Sequence, residues 1–103
     1  MKQKGKKAKG KRGEVLAAST LNNLFPDIKA RRGRYPEPDI VHQYKGIHLE
    51  VKFTEQLRVY DFIEQAIADA EEDQVPIVLL KKKYKPWLAI IPLDQLPMDR
   101  LNE

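Results

Sequence analysis

The chain contains no cysteine, few aromatic residues (8%) and no apolar run that approaches the length of a membrane span. The lack of cysteine excludes a disulfide-stabilised scaffold and a zinc site with cysteine ligands, and it fits a reducing compartment. The stretch "GEVLAASTLNNLF", which follows a basic N-terminal segment, is too polar and too periodic for the apolar region of a secretory signal. We therefore expect a cytoplasmic protein without a membrane partner.

Acidic residues are missing from residues 1–12, which hold seven Lys or Arg. The remaining chain has 12 basic and 15 acidic residues, so the positive charge of the protein is concentrated in this segment. We predict a disordered basic arm over residues 1–12 and one folded domain over residues 13–103, because 103 residues suit a single core. The arm is typical of a segment that holds nucleic acid phosphates, although a solubilising terminus would have the same composition. Its candidate DNA-binding residues are Lys6, Lys7, Lys9, Lys11 and Arg12.

The hydrophobic pattern predicts the element order αββαββ. Apolar residues at spacings of three and four indicate a helix over 13–25 that Pro26 ends, and a longer helix over 55–73 with Tyr60, Ile63, Ile67 and Ala70 on its apolar face. The pattern predicts one hairpin over residues 38–53. It predicts a second hairpin in which the lysine-rich turn "KKKYKP" joins the strands "VPIVLL" and "WLAIIPL". This order predicts an α/β fold with a mixed central sheet flanked by helices.

The first hairpin carries charged residues among strand-like apolar ones. If Lys45-Gly46 forms a two-residue turn, Asp39 lies opposite Lys52 and Val41 lies opposite Glu50. The polar residues then share one face of the hairpin, and the carboxylates of Asp39 and Glu50 come close enough to share one ion.

Two converging carboxylates repel each other unless a cation lies between them, and Mg²⁺ suits such a pair because it also retains waters and accepts phosphate oxygens. Lys52 would then orient or deprotonate an attacking water, or offset charge on phosphorus. A salt-bridged outer sheet face, in which Lys52 neutralises Asp39, fits the same spacing.

The segments "PDI" (38–40) and "EVK" (50–52), separated by ten residues between Asp39 and Glu50, resemble the signature of the PD-(D/E)XK nuclease superfamily. From Gly13 onward the chain is most similar to the small Holliday junction resolvases of archaeal and phage type, with VRR-type nucleases as cousins. The resemblance implies a restriction-endonuclease-like fold and a magnesium site in which Mn²⁺ can substitute. If the chain is of phage origin, it implies action in the host cytoplasm.

The same resemblance implies roles for individual residues. Glu14, Asp39, Glu50 and Lys52 match the catalytic positions in order, and the metal ligands would be Asp39, Glu50 and the main-chain carbonyl of Val51. A structural role also accounts for Glu14, because a carboxylate in the first turn of a helix interacts favourably with the helix dipole. Gln65 resembles a glutamine near the site in many relatives, and His48 shares the predicted catalytic face, although both also suit a solvated surface. The loop residues Arg31, Arg32 and Arg34 resemble phosphate-binding residues beside the site.

Together these observations predict a magnesium-dependent, structure-selective DNA endonuclease that hydrolyses phosphodiester bonds, most similar to a Holliday junction resolvase acting on four-way junctions as a homodimer. Two alternatives remain. A VRR-like nuclease that cuts flaps or other branched DNA would share every catalytic residue. A non-catalytic nucleic-acid-binding protein would keep the basic residues without needing a metal.

Overall fold

The computed structural model describes residues 2–98, with side chains described from residue 10 onward. Two α-helices and five strands account for its regular structure, together with a short 3-10 helix at Leu93–Gln95. The elements are α1 (Lys2–Leu24), β1 (Arg31–Arg32), β2 (Ile40–Val41), β3 (Ile47–Phe53), α2 (Val59–Asp69), β4 (Val75–Lys81) and β5 (Leu88–Ile90).

Helix α1 ends at Leu24, shortly before Pro26 as predicted, but it begins at Lys2 rather than at Gly13. The structure thus gives helical backbone to residues 2–12, the segment predicted to be a disordered arm. Lysine and arginine, which make up seven of these 11 residues, both have high helix propensity. The division into an arm and a domain ending at residue 103 stays a prediction, and residues 99–103 lie outside the described part.

A mixed three-stranded sheet in the order β3-β4-β5 forms the centre of the fold. Strands β3 and β4 are parallel, with Glu50 beside Val78, and α2 makes the crossover between them. Strands β4 and β5 are antiparallel, with Leu79 beside Ala89, which confirms the predicted second hairpin. The predicted mixed sheet is therefore confirmed.

The predicted antiparallel hairpin over 38–53 is wrong. Strand β2 pairs with β1, not with β3, with Arg31 beside Val41 and Arg32 beside Ile40. Along the edge that the hairpin would have used, β3 instead bonds to side chains: the Val51 amide donates to Asp39, and the Ile47 carbonyl bonds to the ring of His42. These side chains satisfy backbone groups that a paired strand would otherwise satisfy.

The helices cover opposite faces of the sheet, because neighbouring residues on a strand point to opposite sides. Towards α1, Leu49, Val51 and Leu79 pack with Ala17 and Ala18. Towards α2, Val78 and Leu80 pack with Ala66, and the partly buried Val59, Phe62 and Ile63 cover them. The even-numbered side chains of β3, which are His48, Glu50 and Lys52, therefore lie on the α2 face.

Helix α2 is shorter than the predicted span of 55–73, and its buried stripe differs from the predicted one. Tyr60 is 81% exposed and Ile67 is 52% exposed, whereas Ala66 is fully buried. The helix is therefore rotated relative to the predicted orientation, which turns Gln65 and Asp69 towards the edge of the site. In the described part of the chain, neither helix combines the length and the apolar character that crossing a membrane requires.

Candidate metal centre

The outer edge of β3 holds Asp39 in place. Two backbone hydrogen bonds flank the pairing of β3 with β4: Val75 N donates to Gly46 O (2.8 Å), and Thr54 N donates to Lys81 O (3.0 Å). Even-numbered residues in and beside β3 therefore turn their backbone N–H and C=O groups towards β4. The odd-numbered residues consequently face the opposite edge. There, the Val51 amide donates to Asp39 Oδ2 at 2.9 Å. The Val51 carbonyl, the predicted main-chain ligand, points to this same edge by the same alternation.

The loop before β2 fixes the backbone of Asp39 as well. The Gly33 amide donates to the Asp39 carbonyl at 2.8 Å. A Cβ atom on Gly33 would lie 1.7 Å from the Pro38 carbonyl oxygen, so no larger residue fits this close approach. Glycine is therefore required where the loop folds back to deliver Asp39.

Glu14 and Arg32 complete this edge of the site. Arg32 Nε, on β1, donates to Glu14 Oε1 on α1 at 3.1 Å. Burial raises the pKa of Glu14 to about 7, with further increases from the negative charge of Asp39 and from a hydrogen bond between the two carboxyl groups, while Arg32 lowers it. Glu14 is thus partly protonated at neutral pH, and a cation placed beside it would favour its charged form.

Glu50 is the most buried acidic residue of the site, at 4% exposure, and His48 beside it is 6% exposed. His48 Nε2 lies 3.3 Å from Glu50 Oε1. Burial raises the pKa of Glu50, and the negative charges of Asp39 and Asp69 raise it further, while the His48 hydrogen bond and Lys52 lower it. The hydrogen bond to Glu50 raises the pKa of His48, against the effect of burial. Burial and the neighbouring acidic residues therefore favour the neutral form of Glu50, and a bound cation would favour its charged form.

A divalent cation fits this donor set. One ligand atom each from His48, Glu50 and Asp69 lies within 4.8 Å of the others, a group that could hold a metal ion. Carboxylate oxygens suit Mg²⁺ and Mn²⁺, and an imidazole nitrogen shifts preference towards the transition metals. Among the described residues, this group shares Glu50 with the predicted set but has His48 and Asp69 in place of Asp39 and Val51.

Lys52 is held beside Glu50 from three directions. Its Nζ atom donates to Gln65 Oε1 at 2.7 Å and lies 3.8 Å from Glu50 Oε2. It also lies 5.4 Å from the centre of the Phe62 ring, within the range of a cation–π interaction. The salt bridge that the alternative interpretation required, from Lys52 to Asp39, is replaced by the contact with Glu50.

The predicted phosphate-binding residues differ in their surroundings. Arg31 makes a two-pronged contact with Glu37 at 2.8 and 3.1 Å, and Arg32 is paired with Glu14. Arg34 is exposed, and its backbone amide donates to Glu37 Oε1 at 2.9 Å. Lys11 and Arg12 are exposed on α1, and the side chains of Lys6, Lys7 and Lys9 lie outside the described part. Binding of phosphate by Arg31 or Arg32 would therefore compete with an ion pair inside the protein.

Sequence reasoning missed Asp69 and Phe62. Both lie on α2 at helical spacing from Gln65, so one helix face presents Phe62, Gln65 and Asp69 in succession. The spacing was visible in the sequence, but the predicted apolar face of this helix, with Tyr60 and Ile67, did not include Phe62 and gave no reason to select Asp69. None of the protein-family models, curated proteins or solved structures compared with the chain matches it.

Proposed function

We propose that the protein is a divalent-metal-dependent, structure-selective DNA endonuclease with a restriction-endonuclease-like fold, a member of the PD-(D/E)XK superfamily that resolves four-way junctions. The observation that carries this proposal is the hydrogen bond from the Val51 amide to Asp39. It brings the first acidic residue of the motif to the strand that presents Glu50 and Lys52, although the hairpin that was expected to do so does not form.

The residues support metal binding from two sides of Glu50. Asp39, Glu50 and the Val51 carbonyl would hold Mg²⁺ on the outer edge of β3, with Mn²⁺ able to replace it. On the α2 side, His48 and Asp69 offer further ligand atoms to an ion at Glu50. The bound cation would supply Lewis-acid activation of water and stabilise charge on the phosphate.

The protein's own groups would handle the remaining steps. In the reaction, a water oxygen bonds to phosphorus while the bond from phosphorus to one ester oxygen breaks, and that oxygen leaves with a proton. Lys52 would orient the water and stabilise the negative charge that develops on the phosphate oxygens. Gln65 and Phe62 would hold the ammonium group of Lys52 towards Glu50.

We also propose that the substrate is a four-way junction, that the protein acts as a homodimer and that it works in the cytoplasm. A single site cuts one strand, whereas a two-fold dimer carries two sites related by the symmetry of the junction. A nuclease that cuts flaps would use the same residues, so only a comparison of substrates separates the two activities.

The test is incubation of the protein with four-way junction, flap, duplex and single-stranded DNA, each with Mg²⁺ and with EDTA. We expect cutting that requires the metal and favours the junction, with paired incisions in a cruciform plasmid. Metal-dependent cutting that favours the flap would select the flap nuclease. Binding without cutting under every metal condition would select the non-catalytic binding protein.

A further inference from the structure

The turn between β4 and β5 presents an exposed tyrosine among lysines. We define Lys82–Lys85 as the basic turn; it contains Lys82, Lys83, Tyr84 and Lys85. Tyr84 is 88% exposed, and its backbone has a φ of 65°. This left-handed conformation is unfavourable for a bulky residue, and glycine or asparagine would adopt it more easily. A large aromatic ring is thus held in solvent at a position where neither packing nor backbone preference favours it.

The basic turn is fixed to the domain by backbone contacts. The Lys83 amide donates to Glu55 Oε2 at 2.9 Å, which ties the turn to the loop after β3. Within the turn, the Lys85 amide donates to the Lys82 carbonyl at 3.0 Å, and Lys81 Nζ donates to the Lys85 carbonyl at 2.6 Å. These bonds determine where Tyr84 projects, so the ring is presented from a defined backbone.

The ring and the lysines combine two features of a single-strand binding surface. Lys83 Nζ lies 5.2 Å from the centre of the Tyr84 ring, which places a positive charge beside an aromatic platform. Proteins that bind single-stranded nucleic acid use this combination, because lysines attract phosphates while the ring stacks on a base. The carboxylate of Glu55, which contacts the turn, accepts its hydrogen bond from the backbone amide of Lys83 and not from a lysine side chain.

The turn lies a short distance from the candidate metal centre. Lys52 pairs with Leu80 in the parallel register, and the turn begins two residues further along the chain, directly after β4 ends at Lys81. A strand rises by about 3.3 Å per residue, so the turn starts roughly 7 Å beyond Lys52 along the strand direction. Successive phosphates of a DNA strand rise by about 3.4 Å along the helix axis, so a strand leaving the site reaches the turn within a few nucleotides.

We propose that the basic turn binds unpaired nucleotides of the DNA substrate, with Tyr84 stacking on a base and the lysines contacting the adjacent phosphates. The proposal rests on the proposed nuclease function for its choice of DNA. It extends that function by naming the feature that is recognised, nucleotides left unpaired at the branch point of the DNA, as where a four-way junction opens beside the cutting site. Binding at the turn requires no metal, so it can be measured separately from cleavage.

The test is fluorescence anisotropy in EDTA with a labelled single strand, a flap with a single-stranded arm and a blunt duplex of equal length. Tyr84→Asn keeps the left-handed turn accessible and removes the ring, whereas Tyr84→Trp keeps an aromatic platform. Tyr60→Asn, at a tyrosine on α2 that is 81% exposed, is the control. We expect Tyr84→Asn to weaken binding of the single strand and the flap by roughly 5- to 150-fold, with duplex binding unchanged and Tyr84→Trp close to wild type.

A second variant tests the lysines. Replacing Lys82, Lys83 and Lys85 with glutamine should reduce the slope of log affinity against log salt for the single strand by about 2. The proposal would be overturned if Tyr84→Asn bound the single strand with wild-type affinity, or if it lost equal affinity for the single strand and the duplex. An unchanged salt slope in the lysine variant would overturn it as well. Thermal melting of each variant shows whether the turn still supports the folded domain.

The same proteins separate this proposal from the nuclease function. If Tyr84→Asn cuts DNA in Mg²⁺ and still binds the single strand with wild-type affinity, the turn has no binding role, whereas the proposed nuclease function is retained. Selective loss of single-strand binding in a protein that never cuts DNA would retain the turn as a binding site and reject the nuclease.

Discussion

The carboxylate of Asp39 accepts a hydrogen bond from the Val51 amide at 2.9 Å. A side chain thereby occupies the position on the edge of β3 that an antiparallel neighbour would otherwise fill. The contact ties the segment before β2 to the strand that carries Glu50 and Lys52. It gives Asp39 two roles, one in the backbone hydrogen bonding of β3 and one in the charge of the candidate metal centre.

These two roles separate in the variants Asp39→Asn and Asp39→Ala. Asparagine retains an oxygen for the Val51 amide but loses the negative charge, whereas alanine loses both. We expect both variants to lose cleavage by orders of magnitude, with DNA binding nearly intact, because metal binding needs the charge. Urea unfolding should show a loss of about 1–2 kcal/mol for alanine and a smaller loss for asparagine. Equal stability of the two variants would contradict the structural role.

Gln65 is expected to act on the reaction through Lys52. Its Oε1 atom accepts a hydrogen bond from Lys52 Nζ at 2.7 Å, and a hydrogen bond to a charged group contributes more than a neutral one. Gln65→Ala should reduce kcat roughly tenfold with little change in KM, and Lys52→Ala should reduce it further. Glu64→Ala, the exposed neighbour on α2, is the control. A rise in KM alone, with kcat unchanged, would show that Gln65 does not position the lysine.

The sequence supported part of this fold for physical reasons that can be named. The second hairpin was predictable because two apolar strands flank a lysine-rich turn. The first hairpin was not, since alternating residues predict which side chains share a face but do not specify the neighbouring strand. Asp39 and His42 supply side-chain bonds to the β3 edge, and a periodicity pattern contains no information about such bonds.

The candidate site was predictable to a similar extent. The motif and its context predict Glu14, Asp39, Glu50 and Lys52; the structure places Glu14 near Asp39 and Lys52 near Glu50, and the roles of these residues stay predictions. The part played by Asp69 depended on how α2 is rotated about its axis. Tyr60 and Ile67 fit the predicted apolar stripe as well as Phe62 and Ala66 fit the observed one, so composition alone did not determine that rotation.

Two glycines near the site should respond differently to alanine. A Cβ on Gly33 would lie 1.7 Å from the Pro38 carbonyl oxygen, whereas a Cβ on Gly46 meets nothing within 4 Å. Gly33→Ala should destabilise the protein by about 1–3 kcal/mol and reduce cleavage, because the segment that delivers Asp39 must move. Gly46→Ala should change stability by less than about 1 kcal/mol. Equal melting temperatures for the two variants would show that the close approach at Gly33 is not maintained.

The stability of the domain should depend on the charge of His42. Its Nδ1 accepts from the Tyr44 amide at 3.1 Å, and its Nε2 donates to the Ile47 carbonyl at 3.1 Å, an arrangement that requires the neutral ring. Burial lowers the pKa of His42 below its usual value of 6.5; the bond to Ile47 opposes this shift, and the charge of His48 adds to it.

A lowered pKa in the folded state means that the neutral ring stabilises the fold above pH 6.5, and that this contribution is lost as the pH falls through the folded-state pKa. Urea unfolding from pH 7.5 to pH 5 should therefore show a decline in wild type that is smaller in His42→Gln. Because His48 remains in both proteins, the difference between them isolates His42. Parallel curves for the two proteins would contradict this assignment.

The most direct measurement is the rate at which Glu50→Gln cuts a four-way junction in Mg²⁺, compared with wild type and with Glu64→Gln as the control. Glu50 is shared by the predicted ligand set and by the His48, Glu50 and Asp69 group, so its charge is required whichever ligands complete the site. We predict that wild type and Glu64→Gln cut only when Mg²⁺ is present, and that Glu50→Gln is slower by about 10³-fold or more with equal DNA affinity in EDTA. Cutting by Glu50→Gln at the wild-type rate would contradict the assignment of this site to the reaction.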